Sequence, residues 1–169
     1  MKTLQKKVCL LGDFAVGKTS LIRRFVEGRF DEKYLSTIGV NISRKPLQRN
    51  GHFLNFIIWD LAGGESFTSP MQGYLRGTAG ALIVCDLTRK DTLLALSKYA
   101  EEIKRMAPQA PFILLGNKAD LKESRSISIA DLTTISHQLQ APFLLTSAKS
   151  GMNVEAAFTE LANHIETVL

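Results

Sequence analysis

Cysteine, tryptophan and proline are scarce in this chain: 169 residues hold two, one and five of them. The two cysteines, Cys9 and Cys85, each sit inside an apolar run. They exclude a disulfide-built scaffold and read as buried thiols of a reducing compartment. Five prolines and twelve glycines exclude collagen-like and low-complexity classes. No apolar run reaches the roughly 18 residues needed to cross a bilayer. The opening Met1-Lys2-Thr3-Leu4-Gln5 is not a secretory signal, because the apolar run Val8 to Leu11 is too short for one. Charge of one sign is not concentrated either. Twenty-one basic and 16 acidic residues give +5, and basic residues meet only in pairs such as Lys6-Lys7 and Arg23-Arg24. Charge alone therefore gives no reason to expect nucleic acid as a partner.

What is present suffices for one core. A hydrophobic share of 45% with 22% charged residues excludes a disordered chain, and the length suits a single domain over 1–169. Val8 to Leu11 reads as a buried strand ended by Gly12. Lys18 to Glu27 puts Leu21, Ile22, Phe25 and Val26 on one helical face, and Gly28 stops it. Asn41 to Gln48 and His52 to Asp60 flank Asn50-Gly51, a strong hairpin signal. Pro46 cannot donate to a ladder, so its strand belongs at a sheet edge. Ala81 to Cys85 and Phe112 to Leu115 are unbroken apolar runs, the pattern of parallel strands buried on both faces. Helices are expected at Asp91 to Met106 (through Leu93, Leu94, Leu96, Tyr99, Ile103 and Met106), at Asp131 to Gln140, and at Asn153 to Val168 with Asn153 as N-cap. Pro142 to Leu145 is a last short strand. The alternation predicts an α/β fold in three layers: a mostly parallel six-stranded sheet, one antiparallel edge strand and about five helices.

Ligands of such sheets bind beyond the carboxyl ends of the strands. After the first strand comes Gly12-Asp13-Phe14-Ala15-Val16-Gly17-Lys18-Thr19, which fits G-x-x-x-x-G-K-[ST]. At average residue frequencies a chance match anywhere in the chain stays below about one percent. The glycines permit a curl whose N–H groups, with the following helix N-terminus, hold phosphate oxygens. Lys18 adds a positive charge at the β- and γ-phosphates, and Thr19 offers a hydroxyl to Mg²⁺. Asn117-Lys118-Ala119-Asp120 follows the Phe112 to Leu115 strand. A carboxylate such as Asp120 accepts from the N1–H and 2-amino group of guanine; adenine offers neither, so such a site discriminates by roughly 10⁴. Lys118 can lay its methylenes on the base while its head stays in water, and Asn117 can tie this loop to the glycine loop. In Trp59-Asp60-Leu61-Ala62-Gly63, Asp60 is an expected partner of Mg²⁺, directly or through water, and the Gly63 N–H can approach a γ-phosphate. Trp59 either lines a partner patch beside the hairpin or belongs to the core. Thr37, in the irregular stretch Arg29 to Ile38, can complete the metal shell only if that loop folds over the triphosphate; otherwise it is an ordinary loop threonine. A backbone N–H of Ser147-Ala148-Lys149 could reach guanine O6.

These segments, in this order and over essentially the whole chain, resemble the Ras superfamily of small GTPases, in its Rab-like branch. The resemblance rests on residues 12–19, on Thr37-Ile38-Gly39-Val40-Asn41, on Trp59-Asp60-Leu61-Ala62-Gly63, on Asn117-Lys118-Ala119-Asp120 and on Thr146-Ser147-Ala148-Lys149. It implies a P-loop NTPase G domain that binds GTP or GDP with Mg²⁺ and hydrolyses GTP as a cytoplasmic molecular switch. Effector, exchange-factor and activating proteins would be the partners at its switch loops. It implies that Gly12, Asp13, Phe14, Ala15, Val16, Gly17, Lys18, Thr19 and Ser20 hold the phosphates and that Phe30 packs on the base. Asn117, Lys118, Asp120, Ser147, Ala148 and Lys149 would then select guanine. Thr19, Thr37 and Asp60 would serve Mg²⁺, while Lys18, Thr37 and Gly63 act at the γ-phosphate. Hydrolysis would release the Thr37 and Gly63 contacts and relax both switch loops.

Three features depart from the family pattern. Where relatives place a water-orienting glutamine after the glycine of D-x-x-G, this chain has Gly64, and Glu65 sits one residue further on. Unassisted hydrolysis is expected to be slow, and a non-hydrolysing, GTP-bound binding module is the competing reading. A small P-loop kinase would share residues 12–19 but gives no reason for residues 117–120. Phe14 stands where relatives carry a small or polar residue; either it shields the γ-phosphate from a partner's arginine or it folds outward. The chain ends at Leu169 with no C-terminal cysteine for prenylation, and Lys2 is not the glycine that myristoylation needs. The resemblance thus carries no lipid anchor into this sequence. It describes either a lipid-free, prokaryotic relative or a chain whose tail lies beyond Leu169.

Overall fold

The computed structural model describes residues 2–31, 39–64 and 67–168. Six strands, β1 (Lys2–Gly12), β2 (Val40–Gln48), β3 (His52–Leu61), β4 (Gly80–Asp86), β5 (Phe112–Asn117) and β6 (Phe143–Leu145), form one sheet in the order β2-β3-β1-β4-β5-β6. Every neighbouring pair is parallel except β2 with β3. The strand that carries Pro46 is the antiparallel edge strand, the position in a sheet where a proline is tolerated. Around the sheet lie α1 (Lys18–Glu27), α2 (Ser69–Gly73), α3 (Asp91–Met106), α4 (Ile129–Leu139) and α5 (Val154–Thr167).

Burial assigns the helices to two faces. Leu93, Leu96, Tyr99 and Ile103 of α3 join Met71 of α2 and Leu132, Ile135 and Leu139 of α4 in one core cluster. Leu21, Ile22 and Phe25 of α1 join Phe158, Leu161 and Ile165 of α5 in the other, where the Phe25 and Phe158 rings stack at 3.9 Å. All seven residues of β4 are buried because both faces are covered, which is why it reads as an unbroken apolar run. Cys9 and Cys85 are fully buried.

Four details differ from the sequence reading. The first strand begins at Lys2 rather than Val8, because Lys2 to Lys7 pair with His52 to Ile57 of β3. That half is partly exposed and carries no apolar run to signal it. The fourth helix begins at Ile129, two residues before the expected start, because Ser128 and Asp131 form a reciprocal capping box. Leu94, placed on the buried face of α3 by spacing, is 74% exposed. Asn153 makes no side-chain cap to α5; its Nδ2 donates to the Leu145 carbonyl instead, at 2.9 Å.

Candidate functional site

The five parallel strands end at one edge of the sheet, at Gly12, Leu61, Asp86, Asn117 and Leu145. From the central β1 the chain runs to β2 and β3 on one side and then to β4 on the other. That reversal opens a crevice at the carboxyl end of β1, where α/β sheets bind ligands. Residues 12–17 lie in it.

The backbone of residues 12–17 has a definite orientation, visible from where its carbonyls go. Lys18 Nζ donates to the Gly12 and Asp13 carbonyls at 2.9 and 3.0 Å. Arg89 Nη2 donates to the Phe14 carbonyl at 2.5 Å, Lys118 Nζ to that of Ala15 at 3.1 Å and Asn117 Nδ2 to that of Val16 at 2.9 Å. The Gly17 carbonyl takes the Leu21 N–H of α1 at 2.9 Å. A trans peptide points its C=O and the next N–H in opposite directions, and no cis bond occurs among the described residues. With the carbonyls of residues 14–17 drawn toward Arg89, the end of β5 and α1, the N–H groups of Ala15, Val16, Gly17 and Lys18 turn the other way. Such a concave set of amides at a helix N-terminus is an anion cradle. Ala15 and Lys118 both adopt left-handed backbone (φ 62° and 66°), strain that sits on the pair joined by the Lys118 bond.

Behind the loop, Asp86 at the end of β4 holds the donors in place. Its carboxylate, 1% exposed, takes Lys118 Nζ at 2.9 Å and Arg89 Nε at 3.1 Å on one oxygen. The Thr88 N–H and hydroxyl occupy the other at 2.9 and 2.7 Å. Burial opposes its charge, but the Thr88 and Lys118 hydrogen bonds carry its pKa below the ordinary carboxylate value. The Lys118 head, expected to stay in water, is thus ion-paired.

At the β5 and β6 ends, Asn117 links two elements: Nδ2 goes to Val16, and Oδ1 accepts the Thr146 hydroxyl at 3.1 Å. Both residues are buried. Asp120 Oδ1 accepts the Ser147 hydroxyl at 2.8 Å. The Ser147 N–H is committed to the Met152 carbonyl at 3.1 Å, so any amide offered by this loop to a base comes from elsewhere in it. Arg24 of α1 holds the loop from behind: its Nε donates to the Ala148 carbonyl at 2.8 Å, and its Nη2 donates to that of Lys149. Phe30 is half-buried against the α1–α5 cluster.

At the β3 end, Thr19 Oγ1 donates to Asp60 Oδ2 at 2.5 Å. A hydroxyl and a carboxylate side by side are hard oxygen donors of the kind Mg²⁺ takes. Among the described residues no three His, Cys, Asp or Glu side chains gather into a metal cage. Two such donors would leave the other positions of a magnesium ion to water and ligand phosphates. Thr37 lies outside the described residues. Burial pushes the Lys18 ammonium down to about 8, against the pull of the Asp60 and Asp13 carboxylates. Gly63 packs directly on the glycine loop, where a Cβ would stand 1.9 Å from the Gly12 carbonyl oxygen. Phe14 is 56% exposed. Ser20 is partly exposed in the first turn of α1.

Four residues that order the site escaped the sequence reading: Asp86, Arg89, Arg24 and Tyr99. Asp86 ends a strand at the ligand edge and was legible by the same rule that drew attention to Asp60. The others act on partners 75, 124 and 86 residues away, which no local pattern encodes.

A strand, a glycine loop that turns its amides inward and a helix on this sheet define a P-loop α/β domain. Residues 7–167 match the model of the Ras family. The chain is 37% identical over 166 residues to the Ras-related protein Rab-22A of Mus musculus, covering 98% of this chain and 86% of that protein. It is equally similar, at 37%, to Rab-31 of Homo sapiens, over 98% of this chain and 85% of that protein. Rab-1A of Dictyostelium discoideum is 37% identical over 96% of this chain and 81% of its own length. The chain belongs to the Ras family, and resembles its Rab proteins. It is therefore a GTP-binding switch protein of a family whose members hydrolyse GTP. Among the described residues no helix is long and apolar enough to cross a membrane.

Proposed function

We propose that the chain is a single guanine-nucleotide switch domain that binds GTP or GDP with Mg²⁺ and hydrolyses GTP slowly. The observation that carries this reading is the outward commitment of the residue 14–17 carbonyls by donors that include Asn117 and Lys118. One network serves the phosphate cradle and the loop that would read the base. In this reading the amides of residues 13–18, with Thr19 and Ser20, take the phosphates. Lys18 leaves its two carbonyls to neutralise the β- and γ-oxygens. Asp120 accepts from the guanine edge, with Asn117, Thr146 and Ser147 keeping it in place. Phe30 and the Lys118 stem flank the base, and the Ala148–Lys149 turn borders its O6. Thr19 and Asp60, with Thr37, would hold Mg²⁺, which when bound neutralises phosphate charge. Gly63, with no Cβ to clash, brings its N–H to the third phosphate.

Slow hydrolysis is read from Gly64. It carries no side chain to orient an attacking water, and its left-handed φ of 63° is one a glutamine would adopt only under strain. The same observation supports a second reading, a GTP-bound module that does not hydrolyse. In both, the half-buried Trp59 beside the exposed Tyr74 and Ile42 offers a surface for effector, exchange-factor or activating proteins. Lys7 Nζ lies 3.9 Å over the Trp59 ring and donates to the Tyr74 and Arg76 carbonyls.

The test is direct. Fluorescent GDP is titrated with and without Mg²⁺ and displaced by GTP and by ATP, and γ-phosphate release is followed in a single turnover. Mg²⁺-dependent binding displaced by GTP and not by ATP, followed by slow release, is the expected result. No release after prolonged incubation, with or without cell extract, leaves the binding module. Displacement by ATP as readily as by GTP defeats both readings.

A further inference from the structure

Tyr99 lies in the middle of α3, buried, and the sequence reads it as one more apolar residue of that helix. Its hydroxyl has two partners from different parts of the site. The Gly64 N–H donates to Tyr99 Oη at 2.9 Å, and the Tyr99 hydroxyl donates to Asp13 Oδ1 at 2.9 Å. The direction is fixed, since an amide only donates, a carboxylate only accepts, and one phenol supplies both roles at once. The ring also meets Phe67 edge-on, with centroids 5.1 Å apart. Tyr99 thus contacts both Gly64 and Phe67, and joins Gly64 to the first variable residue of the glycine loop.

What this chain of bonds holds is the seat of Gly63. The Gly12–Asp13 peptide against which Gly63 packs is also where Lys18 Nζ is held, on the Gly12 and Asp13 carbonyls. Gly63 and the Lys18 ammonium therefore share one corner of the cradle. Gly64, one peptide along, is anchored by Tyr99. We propose that Tyr99 is a positioning residue for γ-phosphate discrimination: through Asp13 and the Gly64 N–H it keeps the Gly63 amide at the corner where a third phosphate arrives. The inference rests on the guanine-nucleotide reading above. Burial raises the phenol pKa well above its ordinary value, so the hydroxyl stays protonated and able to donate across the neutral range.

A residue that only packed α3 would affect GDP and GTP alike. Tyr99 acts on the third phosphate, so the readout is the ratio of the two affinities. In Tyr99→Phe the ring and its Phe67 contact remain and only the two hydrogen bonds go. GTP affinity is expected to fall at least about fivefold more than GDP affinity, the size of loss that one or two buried hydrogen bonds bring. Asp13→Ala, which leaves the tyrosine packed, should shift the ratio in the same direction. The double variant should be little worse than either single one, because both break one chain of bonds. Should Tyr99→Phe fold poorly, Asp13→Ala reads the same ratio. An unchanged GTP-to-GDP ratio in proteins that bind both nucleotides overturns the proposal, as do fully additive shifts in the double variant. If the unaltered protein binds neither nucleotide, the guanine-nucleotide reading itself fails and this inference goes with it.

Discussion

The corner of the site around Asn117 and the corner around Gly63 are built in opposite ways. Around Asn117, side chains do the holding: buried Asn117 ties Val16 to Thr146, buried Asp86 pins Lys118, and half-buried Arg24 braces the Ala148–Lys149 turn. Removing Asn117 or Asp86 leaves polar partners in a buried or half-buried setting unpaired, which favours one arrangement of this corner. Around Gly63 the contact is backbone on backbone. The seat has no side chain, and the neighbouring Gly64 is tethered through its N–H to the hydroxyl of Tyr99, which continues to Asp13. A backbone seat with so little side-chain support yields more readily to the loss of one phosphate than a part held by a buried network. The contrast assigns constancy to the base corner and switching to the phosphate corner.

Four substitutions or modifications break or sharpen that contrast. Asp120→Asn has the largest expected effect: GDP and GTP affinities both fall by about a thousandfold, and xanthosine triphosphate gains, because the new amide donates to the carbonyl xanthine has in place of the guanine amino group. Competition titration with the three nucleotides checks it. Gly63→Ala comes next. Its Cβ would sit 1.9 Å from the Gly12 oxygen, so the segment must lift from its seat. GTP should lose about 10- to 100-fold in affinity, the scale of one or two charge-assisted hydrogen bonds, with little change for GDP. Asp86→Asn removes the charge that holds Lys118 and Arg89, and should cost about 1–3 kcal/mol in urea unfolding of the nucleotide-free protein.

The smallest effect is on the thiols. Burial pushes Cys9 up to about 11 and Cys85 up to about 12, from an ordinary value of 9.0. Raised pKa values in the fold mean a stabilising contribution that is complete below pH 9.0 and lost as pH climbs toward 11–12. Neither thiol should react with a disulfide reagent in the native protein at pH 8, and both should react once it is unfolded. Rapid labelling of the native form would contradict their burial.

The legible parts of this molecule were those written in consecutive residues. Residues 12–19 and 117–120 announce their chemistry by spacing, Asn50-Gly51 announces a hairpin, and the unbroken run of Ala81 to Cys85 announces a central strand. What stayed hidden lay in pairings across the sequence. The outer half of β1 is held by β3 and carries no apolar signal of its own. Leu94 faces outward although its spacing fits the helix face. Tyr99 looked apolar because a phenol spaced among leucines gives no sign of where its hydroxyl points, and its partners are 35 and 86 residues away. The sequence announced which residues surround the crevice; the packing decides which of them hold each other.

The measurement that bears most directly on the division between the two corners is the pair of dissociation constants for GDP and GTP, taken side by side in the unaltered protein, in Asp120→Asn and in Gly63→Ala. A base corner indifferent to phosphate number predicts that Asp120→Asn weakens both nucleotides and leaves their ratio within about twofold of the unaltered protein. Gly63→Ala is predicted to move that ratio by about tenfold or more against GTP. Equal losses of GDP and GTP in Gly63→Ala, or a ratio that moves in Asp120→Asn, would contradict it.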